Sequence, residues 1–260
     1  MPTSDSPRNL EARVDRWTLL AGVAALVAAS WAWLGYQVWS MAHMDIVAMA
    51  MPSVGPWGPT DLGLILTMWV VMMVAMMVPT AMPAVLLYQR VVAERDTSTR
   101  AAALTAFFVA GYVLAWSLFA VAATLVQWAL HGAAVLSPAM RLTGPVIGGA
   151  VLILAGVYQW TPLKHACLVR CRTPLAFLLN AWRGGRIGAL AMGLRHGAYC
   201  TACCWLLMAI LFVVGVMNLA WIVALTALVL AEKLLPNGDR LARASGVALA
   251  VWGLYLIASA

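Results

Sequence analysis

Charge is what this chain has least of. Of its 260 residues only 10% are charged, whereas 64% are hydrophobic; an ordinary soluble domain carries about 25% charge. That scarcity excludes a soluble globular domain. Acid is scarcer than base, with Asp and Glu numbering 9 against 16 Lys and Arg, a net charge of +7. In so apolar a chain the basic excess reads as loop anchors at a membrane surface and not as a nucleic-acid face. There is no Gly-rich phosphate loop, no HExxH and no serine-nucleophile motif. Their absence argues against an enzyme and leaves any pumping to a gradient or a partner. No tandem soluble repeat and no separate soluble domain are visible.

What is there is a series of apolar runs of about 20 residues each, the length that crosses a bilayer as a helix. The expected fold is all-α, a polytopic transmembrane helical bundle with spans at 17–39, 62–88, 101–129, 144–160, 190–216, 219–235 and 244–260. The count is seven, or six if one of the short segments does not cross. Residues 1–16 are expected to be a disordered cytoplasmic N-terminus, and 17–260 a single transmembrane domain. The stretch 174–189 begins amphipathically and is expected to lie along the interface.

The basic residues set the orientation. With the N-terminus inside, the cytoplasmic segments hold Arg8, Arg13, Arg16, Arg90, Arg95, Arg100, Lys164, Arg170, Arg172, Arg183, Arg186, Lys233, Arg240 and Arg243. The outer loops hold only Arg141, and Arg195 sits at the inner mouth of the fifth span. This is the positive-inside asymmetry of a polytopic membrane protein.

Soft-metal ligands gather on the fifth span, in the run Arg195-His-Gly-Ala-Tyr-Cys-Thr-Ala-Cys-Cys-Trp205. At 100° per residue, His196, Cys200 and Cys203 fall within an arc of about 60°, and Cys204 widens it to about 100°. Ionisable groups in a membrane helix are costly and read as a site. A second group precedes it: His165, Cys167 and Cys171, among Lys164, Arg170 and Arg172. The cytosol keeps thiols reduced, so this set points to metal or redox chemistry and not to structural disulfides. Glu232, at the inner end of the sixth span, is a further candidate, as a ligand, a neighbour of the ligands, or a counter-ion. The Cys200–Cys203 pair is also a CxxC, the spacing of dithiol exchange.

Methionine marks the other side. The first outer loop contains His43, Met44, Asp45, Met49 and Met51, with no Lys or Arg among them. The second span follows with Met68, Met72, Met73, Met76, Met77 and Met82 around Pro79 and Pro83. Met72 and Met76 are one turn apart. Thioethers select Cu(I) over harder ions, although methionine also serves as a core filler. The prolines are expected to kink the helix and free backbone carbonyls. Gly144, Gly148, Gly149 and Gly156 are expected to permit close helix packing.

Several phrases carry a resemblance: Met72-Met-Val-Ala-Met-Met-Val-Pro79, Tyr158-Gln-Trp-Thr-Pro-Leu-Lys164, Arg195-His-Gly-Ala-Tyr-Cys200, Cys203-Cys204-Trp205, Met217-Asn218-Leu219 and Glu232-Lys233. In this ordered set, over about residues 60–240, the chain resembles a bacterial family of predicted metal-binding integral membrane proteins of unknown function. The resemblance implies an inner-membrane location and a metal site, without a metal or an activity.

The residues point to a membrane protein that binds a soft transition metal for transport, delivery or insertion. Copper is the expected ion, with zinc the alternative and haem a weaker one. Its expected partners are the lipid bilayer and a periplasmic or cytoplasmic metal carrier. A thiol or haem- and quinone-linked redox protein using Cys200 and Cys203 is the alternative, and a non-catalytic partner subunit the second.

Overall fold

A computed structural model describes residues 7–43, 55–95, 97–137 and 140–260. Among these the chain forms nine helices: α1 (Pro7–Ala42), α2 (Pro59–Ala93), α3 (Ser98–Gly132), α4 (Pro145–Tyr158), α5 (Pro162–Arg172), α6 (Pro174–Ala181), α7 (Gly185–Val214), α8 (Leu219–Leu234) and α9 (Gly238–Ala258). An isolated bridge between Leu136 and Leu142 is the one β feature among the described residues. The architecture is all-α, as the apolar runs predict. Helix α1 starts at Pro7, ahead of the span that begins at Trp17.

Proline opens several helices. Pro59, Pro145, Pro162 and Pro174 each stand at the start of their helix. There the missing N–H costs nothing and the fixed φ suits the first turn. The Asp61 carboxylate completes the start of α2 by accepting from the Gly58 N–H at 2.8 Å.

The expected seven spans are not all found. Among the described residues five helices are long and apolar enough to cross a membrane, namely α2, α3, α7, α9 and the Trp17–Met41 part of α1. The fourth expected span is the 14-residue α4, which joins α5 through a break bent by 63°; counted as one broken span, this pair makes six. The break has a local cause. Thr161 caps α5 by accepting from the Lys164 N–H, and Pro162 cannot continue the helix before it. Helix α8 coincides with the sixth expected span but has only 16 residues, about 24 Å against a hydrocarbon core of about 30 Å.

Apolar side chains lie on both the inside and the outside of the bundle. Leu118, Leu125, Leu154, Ile187, Val251 and Leu254 are exposed. Such a surface suits lipid and not water, so these long helices fit a membrane protein.

The core lies where α2, α3 and α7 meet. Trp69 of α2 donates to Gln127 near the end of α3, while Tyr88 stacks on Phe108 near its start. These two helices therefore run antiparallel. Met72, Met73, Met76 and Met77 are fully buried between the helices. Pro79 cannot donate to the Ala75 carbonyl, as the helix pattern would require, and the Trp31 indole N–H of α1 donates to it instead at 3.1 Å. The expectation of a freed carbonyl thus has its answer in a neighbouring helix, and α2 continues unbroken through both prolines.

Helices α3 and α7 are parallel and touch backbone to backbone. A Cβ on Gly193 would collide with the Phe108 carbonyl, and one on Gly111 with the Leu190 carbonyl. One on Gly197 would come within 2.6 Å of the Ala115 Cβ.

Helices α4 and α9 pair antiparallel through a second set. Gly149 faces the Gly253 carbonyl, and Gly156 faces that of Gly246. Gly156→Ala should cost about 1–3 kcal/mol, since its Cβ would lie 2.5 Å from that carbonyl oxygen. Gly22→Ala, with nothing within 4 Å, is the control. A thermal melt in detergent should fall for the first and not for the second.

Candidate functional site

The stripe on α7 is turned inward. His196, Cys200, Cys203 and Cys204 are all buried, each thiol only 1% exposed. Helix α7 spans Gly185–Val214, so Cys200 sits at its middle. Four other helices bring side chains toward it. The glycine contacts draw α3 close enough for the Tyr112 hydroxyl to lie 3.0 Å from the Cys200 Sγ. From α8, the Lys233 Nζ lies 2.8 Å from the same sulfur. From α5, Cys171 is a neighbour of Cys200 and Cys203. From α2, Thr80 accepts from the Lys233 Nζ at 2.9 Å.

These contacts close into a ring. The Thr80 hydroxyl donates to the Met77 carbonyl at 2.8 Å, and the Tyr112 hydroxyl lies 2.9 Å from that oxygen. Met77, Thr80, Lys233, Cys200 and Tyr112 thereby link α2, α8, α7 and α3 through one hydrogen-bonded circuit. Among the described residues no carboxylate lies within salt-bridge reach of Lys233. Its buried ammonium therefore faces sulfur and hydroxyl. A buried cation requires a partner, and the group placed to serve is the Cys200 sulfur.

The other thiols are less converged. Cys203 and Cys204 donate to the Cys200 carbonyl at 3.1 and 2.9 Å, bonds that fold them back along their own helix. Cys167 lies on the buried side of α5 near Cys203. All five cysteines are free. Among the described residues no group of three or more His, Cys, Asp or Glu side chains is arranged to hold a metal ion. What is assembled is a soft sulfur centre with an internal cation beside it.

His196 is 3% exposed and packs among the rings of Phe108, Tyr112 and Phe177. Its Nδ1 has no hydrogen-bond partner. His165 lies elsewhere: its side chain is 58% exposed, and its Nδ1 pairs with Asp239 at 3.5 Å. Glu232 is committed to Lys164, Nζ to Oε2 at 2.7 Å, and also accepts from Gln159 at 3.0 Å. Met72 and Met76 are core residues of α2. His43 closes α1, its Nδ1 2.8 Å from the Trp39 carbonyl and its ring stacked on Trp39. Met44, Asp45, Met49 and Met51 lie outside the described residues.

Three members of the ring, Lys233, Tyr112 and Thr80, carry no ligand motif. Lys233 is counted among the inner-loop cations. The available signal was the dipeptide Glu232-Lys233 at the end of an apolar run. Adjacent helical residues diverge by 100°, so one turns to Lys164 and the other to Cys200.

Comparison with curated proteins and with solved structures yields no match. A family model, PpoB2, described as a copper chaperone, matches residues 66–256. The matched region runs from α2 through α9 and contains every member of the ring. A sulfur-rich interior accords with a copper-related family, because thiolates and thioethers are the ligands that select Cu(I). The chain belongs to the PpoB2 copper chaperone family.

Proposed function

We propose that this protein holds Cu(I) on a thiol centre in the bacterial inner membrane and passes it to a carrier. The observation that carries the reading is the convergence of Lys233 and Tyr112 on the buried Cys200 sulfur, with Cys171 alongside. Cys200, Cys171 and Cys203 would be the ligands. Cys204, Cys167 and His196 stand next to them. Copper is cargo here and not a resident cofactor. Thiolates bind zinc as well as Cu(I), and the description of the family as a copper chaperone favours copper. The closed thiol side belongs to the cytoplasmic half if the N-terminus is inside, as the basic loops indicate. Capture from outside falls to Met44, Met49 and Met51, with His43 and Asp45. In this reading α8 and the bent α4–α5 pair enter the membrane as shorter elements.

After a wash with a Cu(I) chelator that strips weakly held ions, protein purified from copper-supplemented cells should keep close to one copper per chain. The Cys200→Ser/Cys203→Ser variant should lose at least about nine-tenths of it, which from near-saturation means a loss of about a hundredfold or more in affinity. Elemental analysis of both, with zinc measured alongside, decides the matter. Equal copper in the two proteins would overturn the thiol centre, and zinc in its place would overturn the choice of metal.

A further inference from the structure

Beyond the C-terminal end of α7 lies a cleft of about 570 Å³. Three methionines line it, each from a different segment: Met41 from the last turn of α1, Met140 from the α3–α4 connection, and Met217 from the α7–α8 turn. All three are half-buried. That separates them from Met72, Met73, Met76 and Met77, which fill the core and are essentially inaccessible.

Two residues with positive φ shape the backbone around the cleft. Met140 has φ 53°, in the left-handed region, where an ordinary side chain is strained. Its N–H donates to the Ser137 carbonyl at 2.8 Å, and Leu142 is tied to the Phe212 carbonyl of α7 at 2.8 Å. Across the cleft, Gly215 ends α7 at φ 101°, and the Asn218 N–H closes that turn onto the Gly215 carbonyl.

The Met140 sulfur is itself placed. The Gln127 amide donates to it at 3.1 Å, while the Gln127 carbonyl oxygen accepts from the Trp69 indole at 2.6 Å. That sulfur is engaged as an electron-pair donor, the role it would take toward a soft cation. The charged residue on the lining is Arg141, which is exposed. Among the described residues of the lining there is no carboxylate, the ligand that retains a hard divalent ion. Neutral thioethers hold Cu(I) without adding charge, and so suit a site of exchange more than one of storage.

We propose that Met41, Met140 and Met217 form a second, thioether site for Cu(I), separate from the thiol centre. It would lie about 21 Å from Cys200, the rise from there to Val214 along α7. Its place in a copper path rests on the function proposed above; the site itself stands on the cleft.

The test uses the full chain in detergent micelles, with methionine methyl groups labelled with ¹³C and Ag(I) as a closed-shell stand-in for Cu(I). The methyl signals of Met41, Met140 and Met217 should shift together and saturably. Each is assigned through a Met→Leu variant, a swap that conserves volume and the fold. Met140→Leu should weaken the Ag(I) affinity read from the other two signals by about tenfold. The Cys200→Ser/Cys203→Ser variant should keep all three shifts, so the outcome is independent of the thiol centre. If none of the three signals moves, or if they move without saturation, the thioether site is wrong even where the thiol centre holds copper. If they saturate while the copper content of wild type and double-serine variant is equal, the cleft stands and the thiol reading falls.

Discussion

Gly193→Ala should melt at a markedly lower temperature than the parent chain, if it accumulates folded at all. The added Cβ would overlap the Phe108 backbone carbonyl of α3. A flexible side chain could move aside, but a helix carbonyl flanked by further contacts at Gly111 and Gly197 cannot. Overpacking commonly costs about 1–3 kcal/mol, and a collision with rigid backbone belongs at or above the top of that range. The local effect follows from the same geometry. Pushing α7 from α3 separates Cys200 from Tyr112, now 3.0 Å apart, so surviving protein should also hold less copper. Circular dichroism melts in detergent check the first effect and elemental analysis the second. A melting temperature within about 2 °C of the parent, the scale of less than 1 kcal/mol in a chain of this size, would show that the two helices can separate at little cost.

Lys164→Met is expected to destabilise by about 3–5 kcal/mol, because it leaves the Glu232 carboxylate buried with its cation gone. Both side chains are 2% exposed, and their contact is 2.7 Å. Gln159 would still donate to Glu232, but a neutral amide does not balance a charge. The double variant Lys164→Met/Glu232→Leu should recover most of the loss, since replacing both ions by apolar groups is often close to neutral. Melting Lys164→Met, Glu232→Leu and the double variant against the parent gives the coupling between the two residues. Additive losses would mean that the pair is not coupled. The pair joins α5 to α8, the two shorter elements that bring Cys171 and Lys233 to the sulfur centre.

Much of this arrangement is legible from residue spacing. The cysteine stripe, buried on α7 as its periodicity requires, is the clearest case. Gly149 and Gly156 meet α9 as close-packing positions, whereas Gly144 meets only its own helix and Gly148 a side chain of α7. Other features resist that reading for identifiable reasons. His165 stands two residues before Cys167, and two residues on a helix turn by about 200°; burying Cys167 puts His165 outside. Hydropathy alone runs α4 on to residue 160, because it does not register that Thr161 and Pro162 start a new helix in a new direction. Lys233 is the hardest to foresee. A lysine at the end of an apolar run is normally a membrane-surface anchor. Only the fold shows it turned back toward Cys200.

The glycine contacts between α3 and α7 also bear on movement. Phe108, Gly111, Tyr112 and Ala115 interlock with Leu190, Gly193, Leu194 and Gly197 like teeth. Sliding α7 along α3 by a single residue would drive Cβ atoms into backbone at several points together. A piston stroke of α7 is therefore closed to this protein. An opening toward Cys200 is then left to the other elements around it, α2, α5 and α8, with α3 and α7 as the fixed frame.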